Sequence, residues 1–138
     1  MTSPSSPAAP YQPAVLVDTH VVIWLAKNDK RSEKAQKLLQ NADTVYLSSL
    51  SLLEINMKLA TGKLKMDATM DKLIDDLKLT ILDYTRKHTD AYRIFDPNNK
   101  DPFDNALITI ARCENIPFVT ADRFITPLSV TYPWIIAV

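Results

Sequence analysis

Four acidic side chains of this sequence lie where they could hold a metal ion. Asp18 directly follows the apolar run 14–17, and Asp122 follows the run "PFVTA", so each stands where a predicted strand ends. The carboxyl ends of parallel strands meet at one edge of a sheet, which would bring the two aspartates together. Capping of the next helix is an adequate alternative for either aspartate taken alone, because Asp is among the best N-cap residues.

Glu54 belongs to a predicted helix, residues 49–61, that ends at Gly62, the only glycine of the chain. It shares a narrow polar strip with Ser51, Lys58 and Thr61. Two apolar faces flank the strip, one made of Leu50, Leu53, Met57 and Ala60 and the other of Leu52, Ile55 and Leu59. A helix packed on both faces would point Glu54 into a cleft. A solvent-facing strip would need no more than an i,i+4 pair of Glu54 with Lys58.

The stretch "KDPFDNALITIA" contains two carboxylates around a proline. Asp101 followed by Pro102 is typical of an N-cap and first helical residue, which explains Asp101 fully. Asp104 also suits the first turn, but a helical wheel places it on the apolar arc of Phe103, Leu107, Ile108, Ile110 and Ala111, opposite Asn105, Thr109 and Arg112. A buried carboxylate without a partner is costly, so an inward Asp104 favours a bound cation.

Together the four acids favour Mg²⁺ or Mn²⁺, because both ions prefer oxygen ligands and would relieve the repulsion among Asp18, Glu54, Asp104 and Asp122. Such an ion polarises a phosphoryl oxygen, activates water and stabilises a leaving oxygen. The chemistry that this set predicts is phosphodiester hydrolysis.

An alternation of strands and helices must position these acids. Strands are predicted at 14–17, 44–48, 79–83 and 118–122, with a last one in "SVTY" or "WIIAV", and helices at 19–28, 30–42, 49–61, 67–79, 85–95 and 103–114. This order predicts an α/β fold, a three-layer α/β/α domain with a central, mainly parallel sheet of four to five strands. We expect residues 14–138 to form this domain, and residues 1–13, which are rich in Pro, Ser and Ala, to form a disordered tail.

Composition excludes several classes of protein. Sixteen basic and sixteen acidic side chains cancel, so net charge points to no partner. A single glycine excludes the glycine-rich nucleotide-binding loops. The lone Cys113 cannot form an internal disulfide and is expected to be a buried thiol, and no signal or membrane segment is evident, so a cytoplasmic protein is expected.

In order and spacing, "VLVDTHVVIWLA", "YLSSLSLLEINMKLATGKL", "KDPFDNALITIA" and "IPFVTADRFI" resemble the motifs of PIN-domain ribonucleases, specifically toxins of the virulence-associated protein C (VapC) type. The resemblance covers about residues 14–132. It implies a Mg²⁺- or Mn²⁺-dependent endoribonuclease, a cognate VapB-type antitoxin and a homodimer. By matching motif, it implies that the metal-binding acids are Asp18, Glu54, Asp104 and Asp122.

Other residues receive secondary roles. Asp101 matches a frequently acidic position of the toxin motif, while Ser48 and Thr120 lie near strand ends, where their hydroxyls orient acids or water, or else serve in turns and caps. Where many relatives have a basic residue, this chain has Asn105.

Phosphate contacts to RNA are expected from exposed cations, for which the candidates are Lys58, Lys63, Arg86 and Arg123. Solvated surface charge is an equally good interpretation of each. His20 and His88 lack metal-ligand spacing, and Trp24 is expected in the core or a subunit interface rather than as a platform for bases.

Two other functions are compatible with parts of the pattern. A phosphoryl-transfer domain with an aspartate phosphoacceptor also places Asp and Mg²⁺ at a sheet edge, but "DTHVV" lacks the second Asp of the haloacid-dehalogenase pattern. An inactive PIN fold that binds RNA or protein would be expected to lack one of the four acids, and none is missing.

Overall fold

The core of the molecule is a parallel sheet of five strands in the order β3-β2-β1-β4-β5. The computed structural model describes residues 12–94 and 101–138. Within these ranges the strands are β1 (Gln12–Val17), β2 (Ala42–Ser48), β3 (Leu79–Leu82), β4 (Phe118–Thr120) and β5 (Ile135–Ala137). The helices are α1 (Thr19–Ala26), α2 (Glu33–Leu39), α3 (Ser49–Ala60), α4 (Met70–Asp76), α5 (Arg86–Ile94) and α6 (Pro102–Glu114), with 3₁₀ turns at Lys30–Ser32 and Thr126–Val130. The predicted α/β fold with a mainly parallel sheet is confirmed.

Strand β1 is buried on both faces, as its continuous apolar sequence predicts. Val15 and Val17 face one hydrophobic core and Leu16 faces the other, and all three are fully buried. The first core also takes the apolar sides of α1, α2, α3 and α4, and the second takes α6. Helices therefore cover both faces of the sheet, which gives the three layers.

Polar residues set the helix ends near the carboxyl edge of the sheet. Asp18 caps α1, Ser48 caps α3 and Asp101 caps α6, each by accepting backbone N–H groups of the first turn. Gly62 follows the end of α3 with a φ of 74°, a conformation that residues with a Cβ atom rarely adopt. Local sequence thus specifies where α1, α3 and α6 begin.

Several element boundaries differ from those predicted. Residue 42 belongs to β2 rather than to a helix, because β2 begins early and pairs Ala42 with Gln12 of β1. The last strand lies in "WIIAV", where β5 pairs with β4. The alternative, "SVTY", forms no strand, because its first two residues end a 3₁₀ turn and its last two follow that turn. β1 begins at Gln12, two residues before the predicted domain start. The rest of the predicted tail, the last residue of the predicted helix 85–95 and residues 96–100 lie outside the described residues.

Two predictions about helix faces were wrong. Leu53 and Met57 of α3 are each 50% exposed, so only the Leu50 end of this face packs against a core of the chain. Asn105 and Thr109, predicted on a polar outer face of α6, are buried because α5 packs against this side of the helix. Wheels show which residues share a face but do not show what covers it.

Among the described residues, none of the helices is both long and apolar enough to cross a membrane.

Candidate functional site: an acidic cluster at the carboxyl edge of the sheet

Asp18 lies at the centre of the carboxyl edge, because β1 is the middle strand and β2 and β4 flank it. Its carboxyl group is buried, with the whole residue 1% exposed. One oxygen, Oδ1, accepts the backbone N–H of Thr19 at 2.7 Å, and the other, Oδ2, accepts the Thr120 hydroxyl at 2.7 Å. The carboxylate is therefore held in one orientation by groups from two different strand ends.

Thr120 connects Asp18 to Asp122. Its Oγ1 donates to Asp18 and accepts the backbone N–H of Asp122 at 3.1 Å. Asp122 in turn accepts the backbone N–H of Phe124 on Oδ1 at 2.7 Å, which fixes the turn after β4. The structure places the Thr120 hydroxyl between the two aspartates, the position in which it can orient both.

Glu54 enters from α3, which begins at the same edge after β2. Its side chain is 14% exposed, and the Lys58 Nζ lies 3.9 Å from Oε2. One turn earlier, the buried Ser51 hydroxyl accepts the Thr19 hydroxyl at 2.8 Å, which ties α3 to α1 beside the site. Sequence patterns do not single out Thr19 or mark this bond, although Ser51 does share the predicted polar strip with Glu54.

Asp104 enters from the first turn of α6 and is 6% exposed, as the helical wheel predicted. Its pKa is raised to about 8, chiefly by burial and then by the negative charges of Asp18, Asp101, Asp122 and Glu54, in that order. Because these four carboxylates all act on Asp104, the fold brings the predicted acids from four separate sequence segments within electrostatic reach of one another.

The pKa of Asp18 is raised as well, to about 6, chiefly by burial. The hydrogen bond from Thr120, the charge of His20 and the hydrogen bond from Thr19 oppose this rise, and the charge of Asp122 adds to it. Both buried aspartates thus resist ionisation in the absence of a counter-charge. Such a site favours a divalent cation.

The donor set fits Mg²⁺ or Mn²⁺, since every predicted ligand is a carboxylate oxygen. Among the described residues, the only group of three ligand-type side chains with ligand atoms all within 4.8 Å of one another lies elsewhere, so the four acids surround a wider space. Mg²⁺ usually keeps several waters and takes one or two carboxylates directly. The spacing is compatible with an ion whose shell is completed by water.

The compact group elsewhere consists of His88, Cys113 and Glu114, and it links α5 to α6. His88 Nδ1 accepts the backbone N–H of Thr85 at 3.0 Å, so the ring proton is on Nε2, which donates to Glu114 Oε2 at 2.7 Å. Lys87 Nζ also contacts this oxygen, at 2.8 Å, and with His88 it lowers the pKa of Glu114. With Nε2 and Glu114 already engaged, the group is a helix-to-helix link rather than a metal site. Cys113, predicted as a buried thiol, is half-buried beside it.

The supporting residues divide by geometry. Ser48 Oγ accepts the backbone N–H of Leu50 at 3.1 Å, so it caps α3. Asp101 Oδ1 accepts the N–H groups of Phe103 at 2.9 Å and Asp104 at 3.4 Å, so it caps α6 while its charge also acts on Asp104. Asn105 is turned toward α5, where its side-chain amide donates to the Tyr92 hydroxyl at 3.3 Å.

Of the four predicted RNA-binding cations, Arg123 lies beside the cluster, directly after Asp122. Lys58 is engaged with Glu54, and Lys63 follows the far end of α3. Arg86 begins α5, whose next two residues contact Glu114 at the end of α6, ten residues and about 15 Å of helix rise from Asp104. The fold therefore brings Arg123 and Lys58 to the acids and leaves Lys63 and Arg86 at a distance.

Sequence reasoning gave no role to several side chains that line a cleft beside Asp122, namely His20, Arg31 and Phe124. Trp24, predicted in the core or an interface, also lines this cleft, is half-buried, and carries the Arg31 guanidinium over its ring at 4.3 Å. The only hint of this cleft in the sequence was that Arg123 and Phe124 directly follow Asp122. A cation and an aromatic residue after an acid also occur in ordinary surface turns, so the sequence alone could not identify the cleft.

Residues 15–125 match the family model of the PIN domain. No curated protein matches the chain. Among solved structures, the chain is similar to a chain of VapBC2 from Rickettsia felis bound to a DNA fragment from its promoter, with a TM-score of 0.63, 19% identity, and coverage of 91% of this chain and 97% of that one. It is also similar to a chain of a toxin-antitoxin complex from Klebsiella pneumoniae, with a TM-score of 0.65, 14% identity, and coverage of 89% and 96%. At these identities the likeness shows a shared fold.

Proposed function

Because the chain belongs to the PIN domain family, we propose that it is a metal-dependent endoribonuclease of the VapC type, a toxin that hydrolyses RNA phosphodiester bonds. The observation that carries this proposal is the convergence of Asp18, Glu54, Asp104 and Asp122 at one sheet edge, expressed in the raised pKa of Asp104. These residues match the family motifs position by position. Burying several carboxylates together without a cation lowers the stability of the fold, so this cluster is better explained by a function than by a structural role.

In the proposed reaction, the four carboxylates would hold Mg²⁺ or Mn²⁺. When bound, such an ion polarises a phosphoryl oxygen, lowers the pKa of water and stabilises the leaving oxygen. Asp18 is held ready by Thr120 and the N–H of Thr19, so ion binding does not have to order it. Attack by water in line with the leaving 3′ oxygen would leave a 5′-phosphate.

The sequence after Asp18 separates this proposal from phosphoryl transfer to an aspartate. "DTHVV" lacks the second Asp that the haloacid-dehalogenase pattern places two residues after the phosphoacceptor. The presence of all four acids disfavours an inactive PIN fold.

The proposed partners are RNA, a VapB-type antitoxin and a second copy of the chain. Support for the antitoxin comes from the solved structures that share this fold, since they are of a VapBC complex and of a toxin-antitoxin complex. A toxin of this kind acts on RNA in the cytoplasm, which fits the single cysteine and the absence of a spanning helix from the described residues.

The test is incubation of the purified protein with a mixture of structured RNAs in Mg²⁺, in Mn²⁺ and in EDTA, followed by mapping of fragment ends. We expect discrete fragments with 5′-phosphates in either metal and intact RNA in EDTA. Cleavage that persists unchanged in EDTA would contradict the proposal, as would intact RNA in both metals.

A further inference from the structure

A cleft of about 400 Å³ opens beside Asp122 and combines aromatic rings with side chains that bear positive charge or nitrogen donors. The aromatic rings in its walls are those of Trp24 and Phe124. The side chains with positive charge or nitrogen donors are those of His20, Arg31 and Arg123. The cleft, called here the Trp24–Phe124 cleft, adjoins the acidic cluster, because Asp122 belongs to both and the charge of His20 acts on Asp18.

Arg31 and Trp24 form a rigid flat surface in this cleft. The Arg31 guanidinium lies over the Trp24 ring with its carbon 4.3 Å from the ring centroid. Asp29 holds the guanidinium in place by accepting from Nε at 3.1 Å and from Nη2 at 2.8 Å. Because Asp29 offsets the charge of Arg31, this pair is better suited to stack against a base than to bind a phosphate.

Phe124 and Arg123 supply a second base platform and an unengaged cation. The Phe124 residue is 80% exposed, and its backbone N–H is bound to Asp122, so the ring is presented to solvent from a fixed turn. Arg123 is exposed and makes no hydrogen bond or ion pair within the described part of the chain. A stacking ring next to a cation that can reach a phosphate is the pattern of a surface for single-stranded nucleic acid.

The described residues on the other side of the acids lack this combination. Among them, Leu50, Tyr84, Tyr92 and Phe103 line a cavity of about 350 Å³ next to Asp104, and none of its described wall residues is charged. Of the described cations near the acids, Lys58 is engaged with Glu54 whereas Arg123 is exposed, so a phosphate contact is expected on the side of Arg123.

We propose that the Trp24–Phe124 cleft binds the single-stranded RNA nucleotides adjacent to the scissile phosphate, with one base stacked on Phe124 and a flanking phosphate on Arg123. This inference rests on the proposed ribonuclease function. It adds where on the protein the RNA binds and that the bound RNA is single-stranded. The Trp24 and Arg31 pair provides the stacking surface for a second base.

The test is the binding of fluorescein-labelled octanucleotides of uridine and of adenosine, measured by fluorescence anisotropy. All variants carry Asp104→Asn so that RNA is not consumed. Phe124→Ala is expected to weaken binding at least about fivefold, since base stacking on an aromatic residue commonly contributes this much or more. Arg123→Gln is expected to lower the slope of log K against log salt by about 0.7, the loss of one phosphate contact on a single strand.

Matched controls exist for both substitutions. Val130→Ala removes another apolar side chain that is 88% exposed, and Lys72→Gln removes a cation of α4 whose side chain is 63% exposed. Both are expected to bind RNA like the parent protein.

A second measurement reports on the cleft directly. The chain has two tryptophans, so Trp134→Phe leaves Trp24 as the sole tryptophan emitter. RNA is expected to quench this emission in saturable fashion, and a double-stranded RNA of equal length is expected to quench it far less.

The outcomes separate this inference from the proposed function. Suppose that the unmodified protein cleaves RNA while Phe124→Ala and Arg123→Gln bind RNA like the controls. In that case the cleft inference is wrong and the proposed ribonuclease function stands. The cleft would then bind another kind of partner, such as a protein. An equal loss in the controls would also overturn the inference. If the unmodified protein neither binds nor cleaves RNA, both are overturned.

Discussion

Asp104 and Asp101 lie three residues apart in one helix turn, yet they behave differently. Asp101 is exposed and accepts two backbone N–H groups, as a cap should. Asp104 is buried, and burial together with four neighbouring carboxylates raises its pKa to about 8. The Asp101-Pro102 pair predicted the cap. The helical wheel predicted the burial of Asp104, because it placed Asp104 with the apolar residues.

At the residue scale, Thr120 is expected to act on the ion through Asp18. Thr120→Val keeps the shape of the side chain but removes the hydroxyl that donates to Asp18 Oδ2 at 2.7 Å. The pKa of Asp18 should then rise above about 6, because a bond that stabilises the ionised form is lost. We expect Mn²⁺ affinity to fall roughly tenfold, the scale typical of groups that orient metal ligands, and the activity profile to shift to higher pH.

Thr120→Ser is the matched control for this substitution, since it keeps the hydroxyl and loses only a methyl group. Calorimetric Mn²⁺ titration and initial cleavage rates at several pH values measure both variants. Equal behaviour of the Val and Ser variants would show that the hydroxyl has no such role.

At the element scale, the first turn of α6 allows capping and catalysis to be separated. Asp101→Ala removes the cap and is expected to lower the free energy of unfolding in urea by about 1 kcal/mol. Asp101→Ser keeps a capping oxygen without the charge, so it should retain most of that stability. If Asp101 has no direct part in ion binding, both variants cleave RNA at nearly the wild-type rate per folded molecule.

The contrary result is a Ser variant that is as stable as the wild type but loses most of its cleavage. It would place Asp101 among the residues that bind the ion, with capping as a second role.

Elements differed in how far the sequence could predict them. β1 was predictable because a continuous apolar run signals burial on both faces, and α6 because Asp101 and Pro102 mark its start. The three-residue β5 was predicted only as one of two alternatives, because its strand character depends on pairing with β4 rather than on its own residues. The exposed Leu53 and Met57 face of α3 was also mispredicted, since periodicity cannot say whether the chain itself covers a face.

The same limit applied to the site. The four acids were identified from strand ends, helical wheels and the resemblance to a family, all of which are local signals. The Thr19 to Ser51 bond joins residues 32 positions apart, and the stacking of Arg31 on Trp24 requires the chain to reverse after α1. Such contacts are properties of the folded chain and leave no pattern in the sequence.

At the scale of the whole molecule, the acidic cluster should make stability depend on pH. Asp104 and Asp18 have folded pKa values of about 8 and about 6, above the value of 3.8 expected for the unfolded chain. The metal-free folded protein therefore binds more protons than the unfolded protein between about pH 4 and pH 8, and its free energy of unfolding falls as pH rises through this window. Each unit of pKa shift corresponds to about 1.4 kcal/mol, so the fall should be measurable.

Urea denaturation at pH 5 and pH 8 in EDTA measures this dependence. Asp104→Asn removes the largest contributor, so it should be more stable than the wild type at pH 8 and show a smaller fall. A wild-type protein that is equally stable at both pH values would contradict the electrostatic description of the cluster.

The central claim is that four carboxylates from separate segments form one site for a divalent ion, and Mn²⁺ binding tests it most directly. Isothermal titration calorimetry at pH 8 should show saturable binding to the wild type and to Asp71→Asn, which removes an exposed carboxylate of α4. Asp104→Asn should weaken binding at least tenfold, as expected for the loss of a charged ligand rather than of an orienting group. Binding to Asp104→Asn with wild-type affinity, or no binding to the wild type, would contradict the claim.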